Sequence, residues 1–308
     1  MDLSLSGPVQ RYLTALDNTQ SQISKAQEQV SSGYRLQNVS DDPGAVAQIY
    51  EYQAGIASTQ QTQANLTNAT NQVTSAETAL QSAVQAVQRA LSLAAQGANS
   101  AQTAQGNADL AVEVSGLQQT LVGLSQTQVN GRYIFSGDRD TQPAYQLDPA
   151  QPEGVQQLLP GDTATRVILD PNGTPIAIAR TAQEIFDAQD VNGNPAAGNV
   201  FNAINSLLTG LQNNDLNAIT NAASSLQSAN DYLNGQLEVY GETANRLTAA
   251  SDIAQKFLAN QQAVLGQVQD ANIPEAAQAL TQATTEEQAA LSVEAKIQQQ
   301  PTLFSYLA

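Results

Sequence analysis

The sequence predicts a mainly α protein, an elongated antiparallel helical bundle with a small β-rich insert, on three observations. Ile219, Leu226, Leu233, Tyr240, Leu247 and Ala254 stand seven apart, with Ala222, Ala229, Leu237, Ala244 and Leu258 between them, which draws one apolar stripe along a long helix. A second series, Leu66, Val73, Leu80, Val87 and Ala94, keeps the same interval and offers that stripe a partner. Between the two, most of the chain's 11 prolines crowd into residues 143 to 198, where the helical period is lost.

Composition suits a narrow molecule better than a thick core. Trp, His and Cys are absent from the 308 residues, aromatics make up 5% and charged residues 13%. Gln, Ala, Leu, Ser, Thr and Asn predominate, as in long solvated helices with small-residue seams. The net charge of −17 argues against a nucleic-acid partner, because the 11 Lys and Arg are scattered and cannot neutralise a run of phosphates. Apolar runs long enough to span a membrane do not occur, and Met1–Pro8 lacks the basic region and apolar run of a secretory signal. No membrane association is expected, and export would use a route without a cleavable signal peptide.

Taken in order, Val9, Leu16, Ile23 and Val30 repeat at seven, with Tyr12, Thr19 and Ala26 three residues after the first three. Half of this seam is polar or small. At roughly 1.5–3 kcal/mol per well-buried large side chain, four of them do not offset the ordering of about thirty residues, so residues 1–32 are expected to order on meeting other chains. Gly33 ends this helix. Asp41 and Asp42 offer oxygens to free N–H groups and Pro43 suits a first helical position, which predicts a new helix there. It carries Ile49, Tyr52 and Ile56, then the Leu66–Ala94 stripe.

Gly97–Gly106 breaks that helix, and Leu110, Val114, Leu117, Leu121 and Leu124, alternately four and three apart, form a third stripe. From Asn130-Gly131 the pattern is β-like: Arg132–Gly137 reads as one strand with alternating faces, and Arg166–Leu169 with Thr174–Ile178 as a hairpin around Asp170-Pro171-Asn172-Gly173. Helical spacing returns at Val200, Phe201, Ile204, Leu207, Leu208 and Leu211. After Asn272-Ile273-Pro274 a last helix carries Leu280, Ala283, Ala290, Leu291 and Ile297, and the chain closes on Leu303, Phe304 and Leu307. The expected organisation is therefore terminal helices at 1–42 and 265–308 as an assembly domain, a bundle core at 43–130 and 200–264, and a β-rich insert at 131–199. Val9, Leu16, Ile23, Val30, Leu280, Leu291, Ile297, Leu303, Phe304 and Leu307 are the candidate assembly residues. The bundle seam is expected to be Leu66, Val73, Leu80, Val87, Leu117, Leu121, Ile219, Leu226, Leu233, Tyr240 and Leu247.

Ser31-Ser32-Gly33-Tyr34-Arg35-Leu36 with Asp41-Asp42-Pro43 resembles the Ser-Ser-Gly-x-Arg-Ile and Asp-Asp-Pro signature of the flagellin family. Val129–Gly137 looks like the segment that marks the hook–filament junction branch of that family, and Gly161–Ile168, Val200–Ile204 and Leu303–Leu307 are similar to the same branch. The opening Met1-Asp2-Leu3-Ser4 departs from the family's Arg-Ile-Ser. The resemblance covers nearly the whole chain and implies a flagellin-like fold exported unfolded by the flagellar type III apparatus. It further implies assembly into a ring with copies of itself, between the first junction protein and the flagellin filament, and an export chaperone. A filament flagellin is the alternative within the family, and an intracellular coiled-coil scaffold the alternative outside it.

No catalytic constellation is present. Without His or Cys there is no His-based triad, cysteine nucleophile or HExxH zinc site, and no cofactor or metal is expected. Asp41/Asp42 and Glu286/Glu287 are adjacent pairs that read as caps or solvated faces. Asp190-Val191-Asn192-Gly193-Asn194 opens like a calcium loop, but Pro195 and Phe201 stand where Gly and Glu are required, so a turn is expected. Arg35 reads as solvated or as a bridge to a neighbour's carboxylate. Asn38, Asn65, Asn68 and Asn172 match the N-glycosylation pattern, which so Asn- and Thr-rich a chain meets by chance.

Overall fold

The computed structural model describes residues 7–36, 42–99 and 101–298. In chain order they form α1 (Gly7–Ser32), α2 (Pro43–Gly97), α3 (Ala104–Ser125), β1 (Gln128–Val129), β2 (Arg132–Tyr133), β3 (Tyr145–Leu147), β4 (Val155–Gln157), β5 (Val167–Leu169), β6 (Pro175–Ala177), α4 (Ala182–Phe186), α5 (Val200–Gln212), α6 (Leu216–Gln269) and α7 (Ile273–Gln298). The strands pair as three separate two-stranded antiparallel hairpins, β1–β2, β3–β4 and β5–β6. The protein is mainly α, with a small β content confined to one stretch of chain.

Local signals place the helix ends. Gly33, at φ +77°, stops α1 in the left-handed region that a glycine enters without strain. The Asp42 carboxylate accepts the Ala45 amide at 3.1 Å and its carbonyl accepts Val46 at 3.0 Å, so Asp42 caps α2 with Pro43 in the first turn. Asp41 lies outside the described residues. Thr103 and Asn199 cap α3 and α5 through side-chain oxygens.

Contacts divide the chain into two compact units, Thr59–Lys256 and Met1–Ser58 with Phe257–Ala308. The unit of residues 59–256 holds one continuous apolar core. Leu66, Val73, Leu80 and Val87 of α2, Leu121 of α3, and Ile219, Leu226, Leu233 and Leu247 of α6 are all fully buried there, with Tyr240 nearly so and Leu117 half-buried against them. α5 packs on α3 and adds Phe201, Ile204, Leu207 and Leu211. Where α2 ends, a Cβ on Gly97 would stand 2.5 Å from the Leu211 side chain, so only glycine admits this approach of α2 to α5.

Residues 131–199 join this core instead of standing apart from it. Phe135, Tyr145 and Phe186 pack with Phe201 in one aromatic cluster, Phe135 edge-on to Phe186 at 5.8 Å and Tyr145 tilted on Phe201 at 5.2 Å. The expected strand over 132–137 is shorter than the sequence suggests. β2 ends at Tyr133, and Ile134 and Phe135 are buried in succession without alternating faces. The Ile134 amide adds one more bond in the β1–β2 register, to the Thr127 carbonyl at 3.0 Å, and only then does the chain leave it, the Phe135 carbonyl accepting the Ala182 amide at 2.6 Å. Core packing of Phe135 thus takes precedence over continuing the ladder.

The other unit has a much thinner core. Its buried apolar residues among those described are Ala26 of α1, Ala45 and Ile49 of α2, and Ala276 and Ala283 of α7.

Candidate assembly surface

α1 and α7 pack against each other in opposite directions. Near one end the Tyr12 hydroxyl donates to the Ala290 carbonyl at 3.0 Å and to the Glu294 carboxylate at 3.1 Å, and further along Gln20 reaches Glu287 at 3.4 Å. At the other end the Arg35 amide donates to the Gln269 carbonyl and the Ala271 amide to the Gly33 carbonyl, both at 2.8 Å, around an isolated bridge between Tyr34 and Asp270. The Arg35 guanidinium donates to the Val268 carbonyl at 3.1 Å. Arg35 thus ties the turn after α1 to the end of α6, an intrachain role that neither sequence reading of it anticipated.

The seam between these helices is made of small residues. Leu16, Ile23 and Leu280 are half-buried, while Val30 and Leu291 are exposed at 38% and 48%. Leu13 and Val293 are exposed as well. A buried alanine contributes roughly 0.8 kcal/mol of transfer free energy against roughly 1.5–3 for a buried leucine, so the α1–α7 pair gains little from its own packing. The side chains of Val9 and Ile297, all of Leu303, Phe304 and Leu307, and Asn38 lie outside the described residues.

Two segments marked by sequence motif meet in the β-rich stretch. Asn130 and Gly131 make a two-residue turn between β1 and β2, with φ +53° and +75°, as a type I′ hairpin requires. Beyond it the loop at 136–140 is clasped by residues 160–166. The Asp138 amide donates to the Thr163 carbonyl at 2.9 Å, and the Asp138 carboxylate accepts from the Thr165 amide and hydroxyl and from the Thr163 hydroxyl. Those Thr165 bonds, the hydroxyl first, hold the Asp138 carboxyl below the usual carboxylate range. Asp140, largely buried, takes Arg132 at 2.8 Å and Arg166 at 3.2 Å, while Arg139 reaches Asp162 at 3.3 Å.

The Asp190 loop binds itself. Asp190 Oδ1 accepts the amides of Asn192 and Asn194 at 2.8 and 2.9 Å, and Asp170 Oδ1 accepts those of Asn172 and Thr174 in the same way at 2.8 and 2.7 Å. Both loops are Asp-anchored turns with the carboxylate already occupied by backbone donors.

One polar cluster escaped sequence reasoning. Asp187, buried after α4, accepts the Tyr145 hydroxyl at 2.6 Å and the Asn199 side-chain amide at 2.7 Å, and Asn199 also reaches Glu153 at 3.4 Å. Burial first, then the charge of Asp187, pushes the Glu153 carboxyl up to about 7, and burial likewise raises the Tyr145 hydroxyl. The available sequence signal was Thr181-x-x-Glu184, the capping box that starts α4 and carries Asp187 into place. Among the described residues no group of acidic side chains is arranged to hold a metal, and no helix is long and apolar enough to cross a membrane.

Residues 6–140 match the family described as the bacterial flagellin N-terminal helical region. Flagellar hook-associated protein 3 of Escherichia coli K12 is 28% identical over 211 residues, 66% of this chain and 64% of that protein, so the chain spans a little under two thirds of that relative's length. The protein of the same name in Salmonella typhimurium is 25% identical over 264 residues, covering 82% of each. The crystal structure of flagellar hook-associated protein 3 from Legionella pneumophila shares the fold, with a TM-score of 0.60 at 16% identity, over 71% of this chain and 98% of that one. The signature at Ser31–Pro43 falls within the matched flagellin region.

Proposed function

We propose that this chain, which resembles the flagellin family and within it hook-associated protein 3, is a structural subunit of the bacterial flagellum at the hook–filament junction. In this reading copies of the chain form a ring between the first junction protein and the flagellin filament, outside the cell, after delivery with an export chaperone. The observation that carries it is the α1–α7 pair: two antiparallel terminal helices whose tightly buried contacts are alanines, with Leu13, Val30, Leu291 and Val293 left exposed. Such a pair gains from apolar helices supplied by neighbours, which adjacent copies in a ring would provide. The assembly residues would be Val9, Leu16, Ile23, Val30, Leu280, Leu291 and Ile297, with Leu303, Phe304 and Leu307 at the chain end.

A filament flagellin is favoured by one observation, the match of residues 6–140 to the flagellin N-terminal region. The likeness over most of the chain to flagellar hook-associated protein 3 of two bacteria supports the junction reading over it. Labelling the protein on isolated flagella separates them. A single band at the far end of the hook is expected. Label along the whole filament would overturn the junction in favour of the filament, and label confined to the cytoplasm would overturn both.

A further inference from the structure

The chain contains four Asn-Gly pairs, at 130, 172, 192 and 234, and all eight residues are exposed. In any such pair the amide nitrogen of the glycine can attack the asparagine side chain. The nitrogen loses its proton and bonds to Cγ, the Cγ–Nδ2 bond breaks, and the side-chain nitrogen leaves as ammonia. Water then opens the resulting cyclic imide at either carbonyl, giving aspartate or isoaspartate, with no oxidant or reductant involved. Exposure and sequence treat the four sites nearly alike, so the glycine amide decides between them.

At three sites that amide is engaged. Gly173 donates to the Asp170 carbonyl at 2.9 Å and Gly193 to the Asp190 carbonyl at 3.0 Å, each inside an Asp-anchored loop. Gly235 lies within α6, where its amide belongs to the helical ladder. Gly131 differs. It is the second central residue of the β1–β2 turn, a position whose N–H does not close the hairpin, and among the described residues its amide has no acceptor. The strands that flank it are two residues each, so the turn lies at the exposed tip of a short hairpin.

We infer that Asn130 is a site of spontaneous deamidation, selected by the free amide of Gly131 among four otherwise equivalent Asn-Gly pairs. Conversion to isoaspartate adds a methylene to the main chain inside a turn that has only two residues. The Val129–Arg132 pair then loses its register, and with it the approach of Arg132 to Asp140. A subunit in a long-lived external structure would carry this as an age mark on the segment that resembles the junction branch.

The test is incubation of the full-length protein at mildly alkaline pH, with peptide mapping that reads the mass gain of one dalton at each asparagine. Conversion at Asn130 is expected to exceed that at Asn172, Asn192 and Asn234 by about fivefold or more, the factor that one net hydrogen bond carries. In denaturant the four rates should converge, which assigns the ordering to the fold. First conversion at any of the other three, equal rates in the folded protein, or a preference for Asn130 that persists unchanged in denaturant would overturn the inference.

Discussion

Glu153 and Asp187 are the residues whose chemistry depends most on the fold, because distant parts of the chain bring the two carboxyls to one polar cluster. With Tyr145 and Asn199 already donating to Asp187, Glu153 sits beside a negative charge in a partly dry site, which is why its carboxyl is raised to about 7. A carboxyl whose folded pKa exceeds its unfolded value binds its proton more tightly in the native state. The stability this gives is fully present below the ordinary glutamate value of about 4.3 and is lost as pH rises through the folded value near neutrality. Glu153→Gln, an uncharged isostere of the protonated acid, should therefore match the parent melting temperature near pH 4 and exceed it near pH 8, readings that thermal melts at the two pH values supply. A gap that stays constant between them would show that Glu153 does not titrate in this window. Nothing in the sequence around Glu153 announces this cluster, since the loop before β4 reads only as Pro- and Gln-rich turn.

At the scale of elements, the long helices were legible and the hairpins only partly so, for a physical reason. A stripe repeated over five or six intervals accumulates evidence, and Leu66–Val87 and Ile219–Leu247 fall on it one after another in the core. β3 and β4 were missed because Tyr145-Gln146-Leu147 and Val155-Gln156-Gln157 are too short and too Gln-rich to show a period. The β5–β6 hairpin was found because Asp170–Thr174 states its own turn, while the strand at 132–137 was overestimated because local alternation cannot foresee that Phe135 is needed in the aromatic cluster. The α6 stripe allows a sharp check at Leu233, which is fully buried between the other seam residues. Leu233→Ala should lower stability by about 2–5 kcal/mol, and Leu233→Asp by more, since it leaves an unpaired charge in the core. Denaturant melts of the full chain measure both, and a profile unchanged in the aspartate variant would remove Leu233 from the seam.

For the whole molecule, the distribution of large buried side chains sets how stability is spread along the sequence. Among the described residues, every apolar side chain below 2% exposure lies within 59–256, whereas those buried in 1–58 with 257–308 are four alanines and Ile49. Local opening costs least where few apolar contacts must be broken, so amide exchange reports this difference directly. In dilute monomeric protein, α1 and α7 should exchange rapidly, while α2 over Leu66–Ala94 and α6 over Ile219–Ala254 stay protected. The first helix was legible from the seven-residue spacing of Val9 to Val30, and its thin seam already pointed to partners, but which positions would meet them is not written in that spacing, because Val30 satisfies it and remains exposed. Assembly supplies the missing burial in the proposed function, so protection of α1 and α7 should rise on incorporation into flagella with little change in the 59–256 core. Exchange that is equally slow in α1, α7 and the core of the free chain would mean the terminal helices need no neighbour, and would take away the observation on which the assembly reading rests.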